Sequence, residues 1–186
     1  MIALRVLLMM TALTGLLYPL AITAVAQLVF PTQANGSRVV KDGKVTGSRW
    51  IGQHFDKPGD FWGRPSATGP SPYNAASSSG SNLGPSNPDL TQAIAKRRQT
   101  LRDADPGNER PIPIDLLTAS ASGLDPHISP EAAYYQASRV ARIRSIPLVE
   151  IERLIARHTE PRQLAILGEP VVNVSLLNEA LHAARR

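Results

Sequence analysis

The feature that most constrains this chain is a stretch near its start, from Val6 to Phe30, that contains no charged residue. As a helix this stretch measures about 37 Å, whereas the hydrocarbon core of a bilayer is roughly 30 Å thick. Its many Leu, Ile, Val and Phe side chains make transfer into lipid favourable. The sequence predicts a membrane-spanning helix over 6–30, a short tail over 1–5 and a soluble domain over 31–186.

A cleaved secretory signal is the alternative interpretation of the same stretch. Arg5 gives it a thin positive flank, and Ala24-Val25-Ala26 has the small-x-small spacing of a cleavage site. The apolar centre of a signal is only about 7–15 residues long, however, and this stretch is far longer. The retained anchor is therefore the favoured interpretation.

One side of the predicted span carries small and polar side chains when the helix is drawn at about 100° per residue. They are Thr11, Thr14, Gly15 and Tyr18. Such side chains let a second helix approach closely and share hydrogen bonds inside the hydrocarbon, so they predict an intramembrane helix partner. An ordinary lipid-facing anchor is the alternative. Pro19 favours the packed helix, because it deprives a carbonyl in the preceding turn of its usual donor.

The soluble domain begins with a hairpin pattern. Two short β-rich segments, 38–41 and 44–47, flank Asp42-Gly43, a dipeptide that readily adopts the positive φ angles of a tight turn. Large apolar side chains follow at once and are expected to seed a core under these strands: Trp50, Ile51, Phe55, Phe61 and Trp62.

Residues 63–88 form a Gly-, Ser-, Pro- and Asn-rich loop. Its composition alone is typical of a flexible linker, which remains the alternative interpretation. Helix-start chemistry closes the loop, because Asn87 can cap a helix whose first turn holds Pro88.

The remainder of the chain predicts helices and one buried strand. A helix begins at Pro130 with Ser129 as its cap, and a second begins at Pro147. Val171 to Val174 is expected to form a strand, followed by a helix carrying Leu177 and Leu181. The predicted fold class is α+β: one N-terminal transmembrane helix, then a single mixed soluble domain with long loops.

Composition excludes several function classes. The chain lacks cysteine, which rules out disulfides and thiolate metal sites, and its net charge of +5 is spread out rather than gathered into a nucleic-acid-binding patch. It also lacks the phosphate-loop, dinucleotide-binding and His-Glu-x-x-His patterns. The spread charge neither demands nor excludes nucleic acid; we expect no nucleic acid partner, and no cofactor or metal site is indicated.

The densest group of reactive side chains lies in residues 118–129. Ser120, Ser122, Asp125 and His127 could in principle supply a nucleophile, an orienting carboxylate and a base. Adjacency on a proline-containing loop does not by itself make these groups converge, and Asp125 before Pro126 more often braces a turn.

Six segments, in order along nearly the whole chain, carry a family likeness. They are LTGLLYPLAITAVAQLVFP at 13–31, IGQHF at 51–55, FWGRPSA at 61–67, SPYNAASSSGSNLGPSNP at 71–88, TASASGLDPHIS at 118–129 and GEPVVNVSLLNEAL at 168–181. Together they resemble the C subunit of the Kdp potassium-transporting ATPase, a bacterial P-type pump built from several chains.

The resemblance implies a non-catalytic subunit that assembles with a potassium-channel-like subunit and an ATP-hydrolysing subunit. Members of this family are described as catalytic chaperones that raise the ATP affinity of the hydrolysing subunit. ATP and potassium then belong to the complex rather than to this chain. The implied location is the bacterial inner membrane, with a cytoplasmic N-terminus and an extracytoplasmic domain, so any effect on a cytoplasmic nucleotide must pass through the membrane helices.

Loops with amides, hydroxyls and free backbone groups suit docking on a polar protein surface. The residues expected to contact a partner are Arg64, Tyr73, Asn74, Ser79, Asn82, Asp125 and His127. Two other function classes stay open as alternatives: an anchored ligand-binding module of the cell envelope, and an anchored Ser-dependent hydrolase.

Overall fold

The computed structural model describes residues 1–41 and 43–183, and the chain divides into two compact units. The anchor unit is Met1–Ser48, and the soluble unit begins at Arg49. One continuous helix, Ile2–Val29, opens the anchor unit and is long and apolar enough to cross a membrane. The helix includes most of the segment expected to be a tail, since it begins at Ile2.

This long helix has an irregular middle. It consists of α1 (Ile2–Ala12), a π-helical turn (Leu13–Leu17) and α2 (Tyr18–Val29). Pro19, which lacks an N–H group, lies in the first turn of α2, and the Tyr18 N–H donates to the Leu13 carbonyl five residues back. The proline thus coincides with a wider turn rather than a break.

The anchor unit ends in a short helix and a hairpin. α3 (Pro31–Ala34) precedes β1 (Arg38–Lys41) and β2 (Lys44–Ser48), which pair antiparallel as expected. Asp42, the first half of the predicted turn, lies outside the described residues. The expectation of a core beneath these strands is wrong, because the described residues of both strands are exposed or only partly buried.

Four helices of the soluble unit begin at the predicted positions or within one residue of them. They are α4 (Pro88–Ala104), α5 (Pro130–Arg144), α6 (Leu148–Arg157) and α7 (Val174–Ala183). The Asn87 side chain accepts from the Asp89 N–H at 2.9 Å, and the Ser129 hydroxyl accepts from the Ala132 N–H at 3.1 Å. Both predicted caps are confirmed, and each satisfies an otherwise unpaired donor of a first helical turn.

A small antiparallel sheet lies beside these helices. Its strands are β3 (His127–Ile128), β4 (Thr159–Glu160) and β5 (Val171–Asn173), in the order β3–β5–β4. The predicted strand at 171–174 is confirmed as the middle strand, one residue shorter because α7 begins at Val174.

The core of the soluble unit is formed by helices α5, α6 and α7, the sheet and the aromatic segment that starts the unit. Its fully buried side chains include Phe61, Ile128, Val140, Ile151, Ile155, Val172, Leu177 and Leu181. The fold is thus a mixed α+β domain after an apolar helix, as predicted from the sequence.

Buried polar side chains fasten the aromatic segment to the helices. Gln136 of α5 accepts from the Trp62 N–H at 2.8 Å and donates to the Trp62 carbonyl at 3.0 Å. Asn178 of α7 does the same for Phe61, at 2.8 and 2.9 Å. The two amides pair backbone N–H and carbonyl groups that a neighbouring β-strand would otherwise pair, and this segment has no such strand beside it.

Arg139 completes this buried polar group. Its guanidinium, 2% exposed, donates to the Pro58 and Asp60 carbonyls and to the Gln136 amide oxygen, and it lies 4.5 Å from the centre of the Trp62 ring. Burial lowers its pKa to about 10, an effect opposed by nearby carboxylates. We call Gln136, Arg139, Asn178 and the backbone they bind the Arg139 framework.

Candidate functional site

The Gly- and Ser-rich loop folds against the segment that precedes β3. The Ser66 hydroxyl donates to the Gly123 carbonyl at 2.7 Å, the Ser79 N–H donates to the Ser122 carbonyl at 3.0 Å, and the Ser120 N–H donates to the Pro65 carbonyl at 3.2 Å. These bonds run along the loop and fix its course, unlike the linker that its composition suggests. Residues 64–82 and 119–127 together are called the loop surface below.

Tyr73 supports this surface from beneath. Its hydroxyl donates to the Arg64 carbonyl at 2.6 Å, and its N–H donates to the Ser66 hydroxyl at 2.9 Å. Burial, reinforced by the negative charge of Asp125, raises the pKa of the Tyr73 phenol to about 12, although Arg64 opposes the shift. Tyr73 is thus neutral at physiological pH and serves as an internal brace of the loop.

Two glycines make room for the Tyr73 ring. A β-carbon built on Gly52 would come within 2.4 Å of the ring, and one on Gly63 within 2.6 Å of the hydroxyl. Both distances are far below van der Waals contact, so any larger residue must displace the tyrosine. No pattern in the sequence predicted that these two positions must be glycine.

The remaining predicted loop residues differ in whether their polar side-chain groups are already hydrogen-bonded within the loop. Asn74 uses its amide inside the loop, because it accepts from the Ala76 N–H and donates to the Gly69 carbonyl. Ser79 is exposed and donates to the adjacent Gly80 carbonyl. Asn82 is exposed with a left-handed φ of 51°, and within the described residues its amide has no hydrogen-bond partner.

Arg64, Asp125 and His127 do come together. The Arg64 guanidinium lies 3.3 Å from one Asp125 oxygen, and the His127 ring nitrogen Nδ1 lies 3.3 Å from the other. Burial acts to raise the pKa of Asp125, but hydrogen bonds from His127 and the charges of both partners outweigh it and lower the pKa. Asp125 is therefore anionic, and it also accepts from the His127 N–H at 3.0 Å. We call Arg64, Asp125 and His127 together the hub.

Two nitrogen atoms of the hub have no hydrogen-bond partner in the described residues. Arg64 Nε and His127 Nε2 are buried, yet neither has a hydrogen-bond partner within residues 1–41 and 43–183. The His127 ring also meets the exposed Trp50 ring edge to face, with 6.2 Å between centroids. Unpaired buried polar atoms are rare in folded domains; the described residues hold two more, the Tyr135 and Ser175 hydroxyls, but only here do two lie on side chains that share one carboxylate.

The hydrolase arrangement is not assembled. The Ser122 hydroxyl accepts from the Leu124 N–H at 3.1 Å, and Ser120 is buried, whereas His127 Nδ1 faces Asp125. No hydrogen bond joins either serine to His127 in the described part of the chain. The acid–base pair without a nucleophile in contact matches a braced turn better than a triad.

A cavity of about 590 Å³ opens beside the loop surface. Its lining includes Trp62, Arg64 and Tyr73 together with Lys96 and Arg97 of α4. Burial lowers the pKa of Arg97, whose guanidinium donates to the Leu117 carbonyl at 2.7 Å. The lining thus holds three cationic side chains and one carboxylate, that of Asp56.

The predicted intramembrane face extends across the π-helical turn. The Thr14 hydroxyl donates to the Met10 carbonyl at 2.8 Å, so it is satisfied within its own helix. Thr11 and Gly15 share a side, since a β-carbon on Gly15 would lie 3.9 Å from the Thr11 methyl group. Tyr18 follows the π turn, which rotates it away from the position that an unbroken α-helix would give.

Sequence reasoning missed the Arg139 framework, although one signal was present. Gln136 lies three residues after Ala133 and four before Val140, both buried, and so occupies the core side of α5. A polar residue at core spacing indicates a buried hydrogen-bonding role. The same spacing applies to Arg139, which follows buried Tyr135 by four residues and buried Ala132 by seven, but its basic neighbours at 142 and 144 are typical of a solvated surface.

Comparison with known proteins gives the chain its family. A family model described as KdpC, the K⁺-transporting ATPase c chain, matches residues 1–183. The chain belongs to the KdpC family. Among curated relatives, a "Potassium-transporting ATPase KdpC subunit" of Methylococcus capsulatus is 61% identical over 98% of this chain and 96% of that protein. Proteins of the same name from Polaromonas naphthalenivorans (95% and 90% covered) and Sorangium cellulosum (98% and 96%) are 60% and 58% identical.

Proposed function

We propose that this chain is the non-catalytic C subunit of a potassium-transporting P-type ATPase and that it is required for assembly and stability of the complex. The KdpC family match over residues 1–183 carries the proposal. Its partners are a potassium-channel-like subunit and an ATP-hydrolysing subunit, and ATP and potassium bind to those chains. The apolar helix Ile2–Val29 holds the chain in the bacterial inner membrane, with its N-terminus cytoplasmic and its soluble unit extracytoplasmic.

The loop surface is the proposed contact with a partner subunit. It presents exposed polar groups on a fixed backbone. Because the backbone is already ordered, less conformational entropy is lost on binding. Asn82 and Ser79 offer groups to a partner, whereas Tyr73 and Asn74 hold the loop in shape. Arg64, Asp125 and His127 supply a partly buried charge cluster beside them.

The chain acts as a catalytic chaperone from the far side of the membrane in this proposal. A soluble unit outside the cell does not reach a cytoplasmic nucleotide, so a rise in ATP affinity must be a coupling free energy transmitted between helices. Thr11 and Gly15 provide the closest approach for a neighbouring helix, with Thr14 next to Gly15 in the chain, whereas Tyr18 lies beyond the π turn.

The contact is tested with Asn82→Gly, which removes the amide but keeps a backbone that accepts a φ of 51°. Loss of about 1 kcal/mol of interface energy predicts roughly fivefold less co-purification of the other subunits in detergent. Ser86→Gly, at another exposed position of the same loop, is the control and is expected to co-purify normally. Equal recovery of both variants would remove Asn82 from the interface.

The orientation is tested by labelling. The chain has no native cysteine, so Ser78→Cys, at an exposed position, gives a single thiol. We expect a membrane-impermeant maleimide to label it on intact spheroplasts, whereas Ala3→Cys should react only after permeabilisation. The reverse pattern would place the soluble unit in the cytoplasm.

A further inference from the structure

A tight apolar hairpin projects between β4 and β5. The Gln163 N–H donates to the Leu167 carbonyl and the Leu167 N–H donates back to the Gln163 carbonyl, both at 2.9 Å. Leu164 and Ala165 between them adopt left-handed φ angles of 51° and 64°. We call residues 163–167 the hairpin tip.

The apolar side chains of the hairpin tip point away from the domain. Leu164 is 84% exposed, Ile166 is 74% exposed and Leu167 is 54% exposed. Scattered exposed apolar side chains are ordinary on soluble proteins, but two leucines and an isoleucine on one five-residue hairpin form a concentrated apolar projection. None of the loop-surface residues belongs to it.

Two properties adapt the hairpin tip to an apolar medium. No charged residue occurs from Gln163 to Gly168, and the flanking Arg162 and Glu169 neutralise each other in an ion pair of 2.5 Å. The N–H groups of Ala165 and Ile166 also donate within the turn, at 3.2 Å each. Internal pairing of backbone groups matters most where water is scarce.

We infer that the hairpin tip inserts its apolar side chains into the headgroup–acyl boundary of the phospholipid bilayer. The chain carries its own candidate membrane span, which ends at Val29, and the linking residues 30–48 reach at most about 65 Å when extended. The soluble unit therefore stays at high effective concentration near a lipid surface. This second membrane contact goes beyond the proposed function and does not depend on it.

The inference is tested with the full chain reconstituted in phosphatidylcholine nanodiscs. Ile166→Cys is labelled with an environment-sensitive fluorophore, which the absence of native cysteine makes specific. Ala95→Cys, at an exposed position of α4, carries the same label as the matched control. Quenching by lipids spin-labelled near the headgroup is compared with quenching by aqueous iodide.

We expect lipid quenching of the label at 166 to exceed that at 95 by about threefold, with reduced iodide quenching, as for side chains at the membrane interface. Equal lipid quenching at the two positions would overturn the inference. Protection from both quenchers would also overturn it, because it would show a protein surface, either a partner subunit or a second copy, over the hairpin tip.

A second variant tests whether the apolar side chains drive insertion. With the label moved to Leu167→Cys, the double substitution Leu164→Ser/Ile166→Ser should reduce lipid quenching to the level at position 95. Ile114→Ser/Val149→Ser, which removes apolar side chains that are 68% and 51% exposed elsewhere, should leave it unchanged. Retained quenching in the first variant, with an unchanged thermal melt, would refute the inference.

Discussion

The Arg139 framework and the loop surface both use side chains to hold irregular backbone, yet they differ in completeness. Arg139 is 2% exposed, and its guanidinium, with the Gln136 and Asn178 amides, is paired with protein groups. The side chains of Arg64 and Asp125 are each 28% exposed, and the hub they form with His127 keeps unpaired nitrogens. A polar group whose hydrogen bonds are all made within the protein, which we call closed, contributes to stability alone. One that keeps unpaired atoms, which we call open, retains the capacity to bind another molecule.

The largest expected effect on the free energy of unfolding comes from replacing Arg139 of the Arg139 framework. Arg139→Met keeps much of the apolar stem but leaves the carbonyl of buried Asp60 without its donor and removes one donor from the Gln136 amide oxygen. Unpaired buried groups cost about 1–3 kcal/mol each, so we expect the free energy of unfolding to fall by about 3 kcal/mol. Urea denaturation followed by tryptophan fluorescence measures it. Arg153→Met, at an exposed position of α6, should change stability by less than about 0.5 kcal/mol.

A smaller effect is expected beneath the loop surface. Gly52→Ala places a β-carbon 2.4 Å from the Tyr73 ring, and such overpacking costs about 1–3 kcal/mol. Gly84→Ala, which meets nothing within 4 Å, is the matched control and should be neutral or slightly stabilising. In the Tyr73→Ala background the Gly52→Ala penalty should largely disappear. An undiminished penalty there would assign the strain to another neighbour.

Tyr73→Phe should cost about 1 kcal/mol, because it removes one hydrogen bond, to the Arg64 carbonyl, and leaves the ring in place. The raised pKa means that the folded state holds the phenolic proton more tightly than the unfolded state does. The associated stability is present below about pH 10 and is lost as the pH rises through about 12. Absorbance titration should show a tyrosinate component near pH 12 that Tyr73→Phe lacks; identical titrations would contradict the buried phenol.

The smallest effect is expected at the open hub. The lowered pKa of Asp125 contributes stability above the unfolded value of about 4 and loses it as the pH falls through the folded value. Asp125→Asn should therefore reduce stability by at most about 1 kcal/mol near pH 6, and the difference should shrink in acid. Unfolding midpoints between pH 3 and 7, with exposed Asp56→Asn as the control, measure it. A difference that persists at low pH would point to lost packing.

Local signals explain which parts of the fold could be predicted. The caps at Asn87 and Ser129 depend on a few adjacent residues, so the sequence alone placed the starts of α4 and α5. The sheet order could not be read, because β3 and β4 are two residues long and leave no alternating pattern. Their pairing with β5 is set by tertiary contacts.

In the candidate site, too, roles set by adjacent residues could be predicted, whereas roles set by tertiary contacts could not. The turn role of Asp125 was predictable from the following proline and from its short reach to the His127 N–H. The supporting role of Tyr73 was not, since it depends on two distant glycines and on a carbonyl nine residues away. Composition suggested a linker for residues 63–88, because the bonds that fix it come from residues 119–125, far along the chain.

The place of β5 in the sheet has a consequence for biogenesis. The middle strand and α7, which closes the core with Leu177 and Leu181, are translated long after Ile2–Val29 has left the ribosome. The apolar helix is thus complete while the rest of the polypeptide still lacks the pieces that close its core. A domain whose middle strand and closing helix are made last cannot finish folding until synthesis is nearly over.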